Sequence, residues 1–297
     1  MSVSDLLPVR VDTVSMKEIP MLDVLRLDII HPVISGNKWF KLKAYIESAK
    51  ENEQSVILTF GGAYSNHIVA TAAAAQKAAL NSIGIIRGER PSQLSPSLQD
   101  AVEYGMKLFF ISREEYRQKI IPGEIFSRHE RKAICIINEG GYGPLGVKGA
   151  ADILREINST GYSHIICAVG TGTMLAGLIT GKSRDQSVTG ISVLKNNFSL
   201  QNEINELLPQ HLKNQFQLIH EYHSGGYAKY NHELIDFMNE WFSKTGIPSD
   251  VVYTGKLFFA INKMISKNYF PGESRILAIH SGGLQGNRSL PNGTLIF

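Results

Sequence analysis

A glycine- and threonine-rich turn contains the residues best suited to bind an anion. It reads Gly170-Thr171-Gly172-Thr173 and follows a strand-like apolar run at residues 164–169, at the point where a helical segment begins. Glycines allow backbone amides to face an anion, the threonines add hydroxyls, and the helix N-terminus adds partial positive charge. The turn therefore predicts a phosphate site, although a tight strand–helix turn without a ligand is the alternative.

A dinucleotide-binding fingerprint is a further interpretation of this turn. The position expected to carry the third glycine of that fingerprint is Leu175, and the next strand ends at Leu194-Lys195 rather than at an acidic residue. An acidic residue there would hold the ribose of NAD. The spacing therefore argues against NAD and leaves NADP open.

A lysine with apolar neighbours provides a second candidate group. Lys38 stands near the start of a helical segment in the run SGNKWFKLK (35–43), beside Trp39, Phe40 and Leu42. Most lysines are solvated at the surface. A lysine in a desolvated cleft has a lowered pKa and can form a Schiff base with a carbonyl. A phosphate site together with such a lysine is what pyridoxal phosphate requires.

The third candidate is the turn GGAYSNH (61–67), again between a strand-like run and a helical segment. Ser65, Asn66 and the first helical amides are suited to a substrate carboxylate, and an amide side chain can bond a phenolate oxygen. The alternative is that Ser65 only caps the helix. A lone histidine such as His67 is more often structural.

The elements that must position these turns alternate between strands and helices. The predicted strands are 55–60, 82–86, 107–111, 133–137, 164–169, 190–194, 216–219 and 275–279. The predicted helices are 66–79, 96–104, 147–157 and 232–245. This order predicts parallel sheets with helices on both faces, in which ligands bind beyond the carboxyl ends of the strands.

Composition excludes several classes of protein. The chain has 297 residues, 43% of them hydrophobic and 19% charged, which is typical of a globular protein of about two domains. A net charge of +3 without a dense Lys/Arg run argues against nucleic acid, and the apolar stretch 68–80 is too short to span a membrane. Cys135 and Cys167 lie in apolar runs without zinc-ligand spacing, so we expect reduced thiols and no metal. Residues 1–14 lack the basic patch and the apolar stretch of a secretory signal, so we expect a cytoplasmic protein.

Five motifs in order give the chain a family resemblance. They are GNKWFKL, GGAYSNH, GTGTMLAG, VYTGK (252–256) and HSGG (280–283). The chain resembles the 1-aminocyclopropane-1-carboxylate deaminase / D-cysteine desulfhydrase family of fold-type II pyridoxal-phosphate enzymes, from residue 28 to residue 286. The resemblance implies a homodimer of two-domain α/β chains like tryptophan synthase β, with twisted parallel sheets and the cofactor in the interdomain cleft. The larger domain would comprise 1–48 and 158–297, and the smaller domain 49–157.

The resemblance also implies residues that hold the cofactor. The lysine of the first motif carries pyridoxal 5'-phosphate in that family, which assigns this role to Lys38. The asparagine of the SN pair contacts the 3'-oxygen of the cofactor, which implies Asn66. The residue after the tyrosine of the VYTGK motif faces the pyridine nitrogen, which implies Thr254. The phosphate would be held by Gly170, Thr171, Gly172 and Thr173.

A small amino acid is the substrate that the resemblance implies. Tyr253 matches one of two tyrosines that line the family's substrate pocket, and Tyr227 matches the other, with Tyr230 as a rival. The residues implied at the substrate are Ser65, Asn66, His67, Tyr227, Tyr253 and Ser281. The catalytic residues would be Lys38, Ser65, Tyr227 and Tyr253.

Some positions depart from the family pattern and bear on the reaction. Phe40 stands where the family commonly has arginine, and Ile68-Val69 stand where it commonly has Thr-Arg. Thr254 and Ser281 replace the glutamate and leucine of cyclopropane deaminases and resemble the D-cysteine desulfhydrase branch. A carboxylate beside the pyridine nitrogen would favour its protonated form. A threonine supports a less protonated ring, which suits expulsion of a good leaving group such as thiolate.

We therefore expect β-elimination of D-cysteine or a related amino acid to pyruvate, ammonia and sulfide, with Lys38 as the base for the Cα proton. The nearest alternative is opening of 1-aminocyclopropane-1-carboxylate to 2-oxobutanoate and ammonia. An amino-acid racemase and a D-serine-type dehydratase fit the same residues. A low-turnover pyridoxal-phosphate-binding protein is the alternative from another class, and a nucleotide oxidoreductase is the weakest.

Overall fold

Two sheets form the framework of the chain, in a computed structural model that describes residues 7–14 and 21–297. The six-stranded sheet has the order β1-β2-β10-β7-β8-β9 and the four-stranded sheet the order β5-β4-β3-β6. All neighbouring strands are parallel except β1 and β2, which are antiparallel. The strands are β1 (Arg10–Val14), β2 (Met21–Arg26), β3 (Val56–Gly61), β4 (Asn81–Arg87), β5 (Met106–Ile111), β6 (Ile134–Ile137), β7 (His164–Val169), β8 (Ser187–Ser192), β9 (Gln217–Ile219) and β10 (Arg275–His280).

Helices connect most of these strands. They are α1 (Asn37–Glu51), α2 (Asn66–Lys77), α3 (Pro96–Glu103), α4 (Arg113–Arg117), α5 (Gly123–Arg128), α6 (Pro144–Ala151), α7 (Thr173–Gly181), α8 (Leu200–Glu206), α9 (His232–Thr245) and α10 (Thr254–Ser266). The four-stranded sheet takes all its strands from the middle of the chain, whereas the six-stranded sheet combines strands from both ends. The predicted α/β class with parallel sheets is confirmed. The domain boundaries at 48/49 and 157/158 stay a prediction.

The apolar runs became strands because helices cover both faces of each sheet. Every residue of β3 is buried, as is every residue of β7 after His164. Continuous burial of this kind is typical of parallel strands between two helical layers. The largest hydrophobic cluster includes Ile57 of β3, Ile165 of β7 and side chains of α1, α6 and α7, so one core joins the two sheets.

Some predicted elements differ from the observed ones. The strand predicted at 190–194 is observed at Ser187–Ser192, because β8 pairs with β7 from His164↔Ser187 onward. The helix predicted at 147–157 begins earlier, at Pro144, and gives way to a 3₁₀ segment, Asp152–Glu156. None of the helices in the described ranges is both long and apolar enough to cross a membrane.

Candidate active site

A cavity of about 970 Å³ lies beyond the carboxyl ends of β3, β7 and β10. The three turns singled out in the sequence meet there, as expected for parallel sheets. The predicted site residues that line it are Lys38, Ser65, Asn66, His67, Gly170, Thr171, Gly172, Tyr227, Tyr253 and Ser281. Thr173 and Thr254 do not line the cavity. The lysine and the anion-binding turn therefore share one site.

Lys38 is positioned by a close contact between the start of α1 and the turn after β10. Gly36 adopts a left-handed φ of 68°, and its N–H donates to the Leu27 carbonyl at 2.7 Å. A Cβ at Gly36 would overlap the carbonyl oxygen of Ser281, so only glycine allows this approach. The Asn37 N–H donates to that same oxygen at 3.3 Å, and Lys38 Nζ donates to Asn37 Oδ1 at 2.9 Å. The lysine amine is thus held at the cavity by the first turn of α1.

The surroundings of Lys38 favour a neutral amine. Burial lowers its pKa from 10.5 to about 8, and the carboxylate of Asp250 opposes this shift. A lysine with this pKa is a free amine in about a tenth of the molecules at pH 7, far more than an ordinary lysine. A free amine is the form that attacks a carbonyl or accepts a proton.

This pKa predicts the pH dependence of cofactor capture. The rate at which the apoprotein binds pyridoxal phosphate should rise with pH and level off above about 8, because only the deprotonated Lys38 reacts. An ordinary lysine would give a rate that still rises toward pH 10.5. The measurement is stopped-flow absorbance between pH 6 and 10. A midpoint near 10 would contradict the buried position of the amine.

Ser65 and Asn66 lie at the N-terminus of α2. Ser65 is the N-cap, and its Oγ accepts from the Ile68 N–H at 3.4 Å. Asn66 Nδ2 donates to the Gly283 carbonyl at 3.1 Å, while its Oδ1 is buried and has no partner among the described residues. Ser65 therefore caps the helix, as one interpretation of the sequence expected. It also lines the cavity, because the N-terminus of α2 forms part of the cavity wall.

His67 is mainly a structural residue. It is 3% exposed, and its Nε2 lies 2.9 Å from Thr59 Oγ1, which donates its own hydrogen to the Ile137 carbonyl at 2.8 Å. The network assigns the ring hydrogen to Nε2 and leaves Nδ1 a buried acceptor without a partner in the described chain. Burial, then the charges of Lys38 and Lys41, lower the pKa of His67 to about 3. The ring nitrogen Nδ1, a neutral hydrogen-bond acceptor, is therefore the atom of His67 that remains for the predicted substrate contact.

Thr59→Val should destabilise the fold by about 1–3 kcal/mol, because it leaves His67 Nε2 without its partner in the core and removes the hydroxyl bond to the Ile137 carbonyl. Thr71→Val is the matched control, since Thr71 is fully buried and its hydroxyl has no hydrogen-bond partner in residues 7–14 and 21–297. We expect that control to be neutral or stabilising. Urea denaturation measures both, and equal effects of the two variants would contradict the His67–Thr59 network.

The turn after β7 has the form expected of an anion site. Gly172 takes a left-handed φ of 81°, and a Cβ there would lie 2.5 Å from Ile204. Thr173 is the first residue of α7 and fully buried, with its hydroxyl 3.3 Å from that of Thr171. The side chain of Thr171 therefore faces the cavity, whereas that of Thr173 lies behind it.

Lys41 is a cavity residue that sequence reasoning missed. It is 4% exposed and its Nζ donates to the Gly140 carbonyl at 3.0 Å. Gly140 packs on Thr171, so this ammonium lies near the anion-binding turn. Burial, then the charge of Lys38, lower the pKa of Lys41 to about 7. The available signal was its spacing three residues after Lys38, which puts both lysines on one side of α1.

Two tyrosines, Tyr227 and Tyr253, line the cavity beside the anion-binding turn. The rings of Tyr227 and Tyr253 meet edge to face with centroids 6.1 Å apart, and Tyr253 packs on Gly170. Burial, then the neighbouring Tyr227, raise the pKa of Tyr253 well above 10.0. Tyr227 lines the cavity and Tyr230 does not, which favours Tyr227 as the second tyrosine of the predicted substrate pocket.

Lys256 holds the segment that carries Tyr227. It is fully buried, and its Nζ donates to the Gly226 carbonyl at 2.7 Å. Burial lowers the pKa of Lys256 to about 8, against the opposing effect of Asp250. This contact was missed in the sequence, although the lysine belongs to the VYTGK motif.

Thr254 is engaged with a neighbouring carboxylate. Its hydroxyl donates to Asp250 Oδ1 at 2.7 Å and accepts from the Asp250 N–H at 2.7 Å. The carboxylate of Asp250 also accepts from the N–H groups of Val252, Tyr253 and Thr254. Because Thr254 lies behind the cavity wall, the contact expected between its hydroxyl and the pyridine nitrogen stays a prediction.

Several known proteins are similar to this chain in sequence and in fold. A sequence model of the family described as "Pyridoxal-phosphate dependent enzyme" matches residues 24–282. A Thermotoga maritima protein named "Putative 1-aminocyclopropane-1-carboxylate deaminase" is 30% identical over 89% of this chain and 88% of its own length. The "Bifunctional D-cysteine desulfhydrase/1-aminocyclopropane-1-carboxylate deaminase, mitochondrial" of Arabidopsis thaliana is 29% identical over 89% of this chain and 72% of its own. A crystal structure titled as an "ACC deaminase homologue" superposes with a TM-score of 0.82 at 26% identity, covering 95% of this chain and 91% of that one.

Proposed function

The chain belongs to the family of pyridoxal-phosphate-dependent enzymes, and on that premise we propose that it catalyses β-elimination from a small amino acid such as D-cysteine. The products would be pyruvate, ammonia and sulfide. The observation that carries this proposal is the single cavity shared by the partly desolvated Lys38 and the glycine-rich turn Gly170-Thr171-Gly172.

The residues of the cavity fit pyridoxal 5'-phosphate. The turn after β7 and the ammonium of Lys41 would hold its phosphate. Lys38 would bind it covalently, and Asn66 would contact its ring oxygen with the amide hydrogen that Gly283 does not use. Asn66 Oδ1 and His67 Nδ1, both buried and without partners in the described residues, are polar groups that a ligand can satisfy.

When bound, pyridoxal phosphate supplies an electron sink that makes the α-proton of an amino acid removable. The chain supplies the other groups. Ser65 and the first amides of α2 are suited to hold the substrate carboxylate. Once the substrate amine has replaced Lys38 on the cofactor, the freed Lys38 Nζ would take the Cα proton, and the cavity walls would limit access of water. Tyr227 and Tyr253 would orient the substrate, and their raised pKa values keep both phenols protonated.

The proposed β-elimination balances in atoms and in electrons. The Cα proton passes to Lys38, a Cα–Cβ double bond forms, and the thiolate leaves with the electron pair of the Cβ–S bond. The enamine that is released takes up water and yields pyruvate and ammonia. Neither step needs an oxidant or a reductant.

Opening of 1-aminocyclopropane-1-carboxylate is the second candidate, because that activity stands in the names of the Thermotoga and Arabidopsis relatives. The D-cysteine activity also stands in the Arabidopsis name. Thr254 and Ser281 at the two branch positions favour β-elimination for this chain.

A release assay on the purified holoenzyme separates these activities. D-cysteine, L-cysteine, D-serine, β-chloro-D-alanine and 1-aminocyclopropane-1-carboxylate are offered in turn, and keto acid and sulfide are followed. We expect pyruvate and sulfide from D-cysteine. Turnover of the cyclopropane compound alone would replace β-elimination by ring opening, and inactivity toward all five compounds would favour a low-turnover cofactor-binding protein.

We also propose a cytoplasmic homodimer. The homodimer rests on the family resemblance, and light scattering should give a mass of two chains. The compartment is supported by Cys135 and Cys167, both buried and free, since unpaired thiols persist in reducing surroundings.

A further inference from the structure

A cationic wall faces the part of the cavity that is built from the four-stranded sheet. It consists of Arg87, Arg113 and Lys119, all of which line the cavity. The elimination of sulfide from cysteine gives these side chains no task, because cysteine carries a single carboxylate. The proposed reaction therefore does not explain why these three cationic side chains line the cavity.

Arg87 is the best placed of the three. It is the last residue of β4, and its guanidinium carbon lies 5.7 Å from the ring centroid of Tyr116. One guanidinium nitrogen lies 3.6 Å from where a Cβ on Gly62 would be. The charged group of Arg87 thus borders the turn that contains Ser65, on the substrate side of the cavity.

The charges of the wall are incompletely neutralised. Lys119 pairs with Glu139 at 3.4 Å. Arg87 and Arg113 are exposed side chains at the cavity, and they have neither an ion pair nor a hydrogen bond within residues 7–14 and 21–297. Tyr116, beneath Arg87, is 4% exposed, and the carboxylate of Glu139 lies near its hydroxyl. An unpaired guanidinium in a cavity is suited to a planar or tetrahedral oxyanion, which it binds through two hydrogen bonds.

We propose that the preferred substrate carries a second negative charge on its β-substituent, as a phosphate ester or a sulfonate, and that Arg87 binds this group with Arg113 nearby. This inference rests on the proposed β-elimination and narrows its substrate class. The chemistry is unchanged: the Cα proton passes to the enzyme, the Cα–Cβ double bond forms, and the anionic substituent leaves with the bonding pair.

The test compares Arg87→Met with Arg90→Met in the holoenzyme. Arg90 is an exposed arginine three residues further along, which packs over Phe110 and does not line the cavity. The substrates are O-phosphoserine in both enantiomers and D-cysteine, and pyruvate is followed. In Arg87→Met, kcat/KM for O-phosphoserine should fall by at least about tenfold, the size of a lost hydrogen bond to a charged group. The value for D-cysteine should change by less than threefold, and Arg90→Met should leave both substrates unaffected.

Two outcomes would overturn the inference. Equal losses for both substrates in Arg87→Met would mean that Arg87 binds the α-carboxylate, which all amino acids share. No loss for O-phosphoserine would mean that the wall does not bind the substituent.

A binding measurement distinguishes failure of the anion site from failure of the proposed β-elimination. Binding of O-phosphoserine and of D-serine is titrated through the visible absorption of the bound cofactor. If neither is eliminated but O-phosphoserine binds at least tenfold more tightly than D-serine, and only when Arg87 is present, the anion site holds while β-elimination fails. Equal binding of the two compounds to the wild-type enzyme would reject the anion site.

Discussion

Replacing Lys38 with alanine is expected to lower kcat/KM by about 10³-fold or more, the scale of losing a positioned proton-transfer group. The purified variant should also lack the visible absorption of covalently held pyridoxal phosphate. Both effects have one cause, because the same Nζ would bind the cofactor and take the Cα proton. Absorption spectra and the pyruvate release assay measure them on one preparation.

Lys43→Ala is the control for this variant. Lys43 lies on the same helix, is paired with Glu47 at 4.0 Å, and does not line the cavity. It should keep both the absorption and the activity. Retention of more than a tenth of the activity in Lys38→Ala would remove Lys38 from the chemistry.

Gly36→Ala is expected to damage both stability and activity, although Gly36 does not touch the substrate. The backbone of Gly36, with φ 68° and ψ −152°, lies in a region that is essentially restricted to glycine, so an alanine there costs about 1–3 kcal/mol, and the overlap of its Cβ with the Ser281 carbonyl adds about 1–3 kcal/mol. Relief of that overlap must move the start of α1 away from the turn after β10. Because Lys38 follows two residues later, kcat/KM should fall by about 10²-fold in the folded protein.

Gly105→Ala is a control for alanine at a positive φ without a steric overlap. Gly105 also has a left-handed φ, 83°, but a Cβ there would meet no atom within 4 Å. This control should lose only about 1–2 kcal/mol and keep full activity. If Gly36→Ala behaves like Gly105→Ala in thermal melts and in the assay, the contact between Gly36 and Ser281 does not position the lysine.

Local sequence was sufficient for the turns that build the site. The turns 61–67 and 170–173 each follow a continuous apolar run, and parallel strands bring their carboxyl ends to one edge of a sheet. Their meeting with Lys38 in one cavity also depends on the contact of Gly36 and Asn37 with Ser281, which the sequence does not show. The family and its cofactor follow from the motifs, and the comparisons confirm both.

Groups that act through tertiary partners were not predictable. The strand Met21–Arg26 was missed because it contains Asp23 and Arg26, which read as surface residues. Both are buried: Asp23 accepts from the Tyr162 hydroxyl at 2.7 Å, and Arg26 pairs with Asp28 at 2.7 Å. The position of Lys256 depends on a carbonyl 30 residues away, and that of Thr254 on its bond to Asp250. Burial of a charged or polar side chain of this kind can be predicted only when the position of its hydrogen-bond partner is known.

The most direct measurement identifies the lysine that carries the cofactor. Lys38, Lys41 and Lys256 all have pKa values lowered by burial, to about 8, 7 and 8, so each is a chemically reasonable partner for an aldehyde. The holoenzyme is reduced with borohydride to fix the covalent link, digested, and mapped by mass spectrometry. The account predicts a single labelled peptide with the cofactor on Lys38. A label on Lys41 or Lys256 instead, or no labelled peptide, would contradict it.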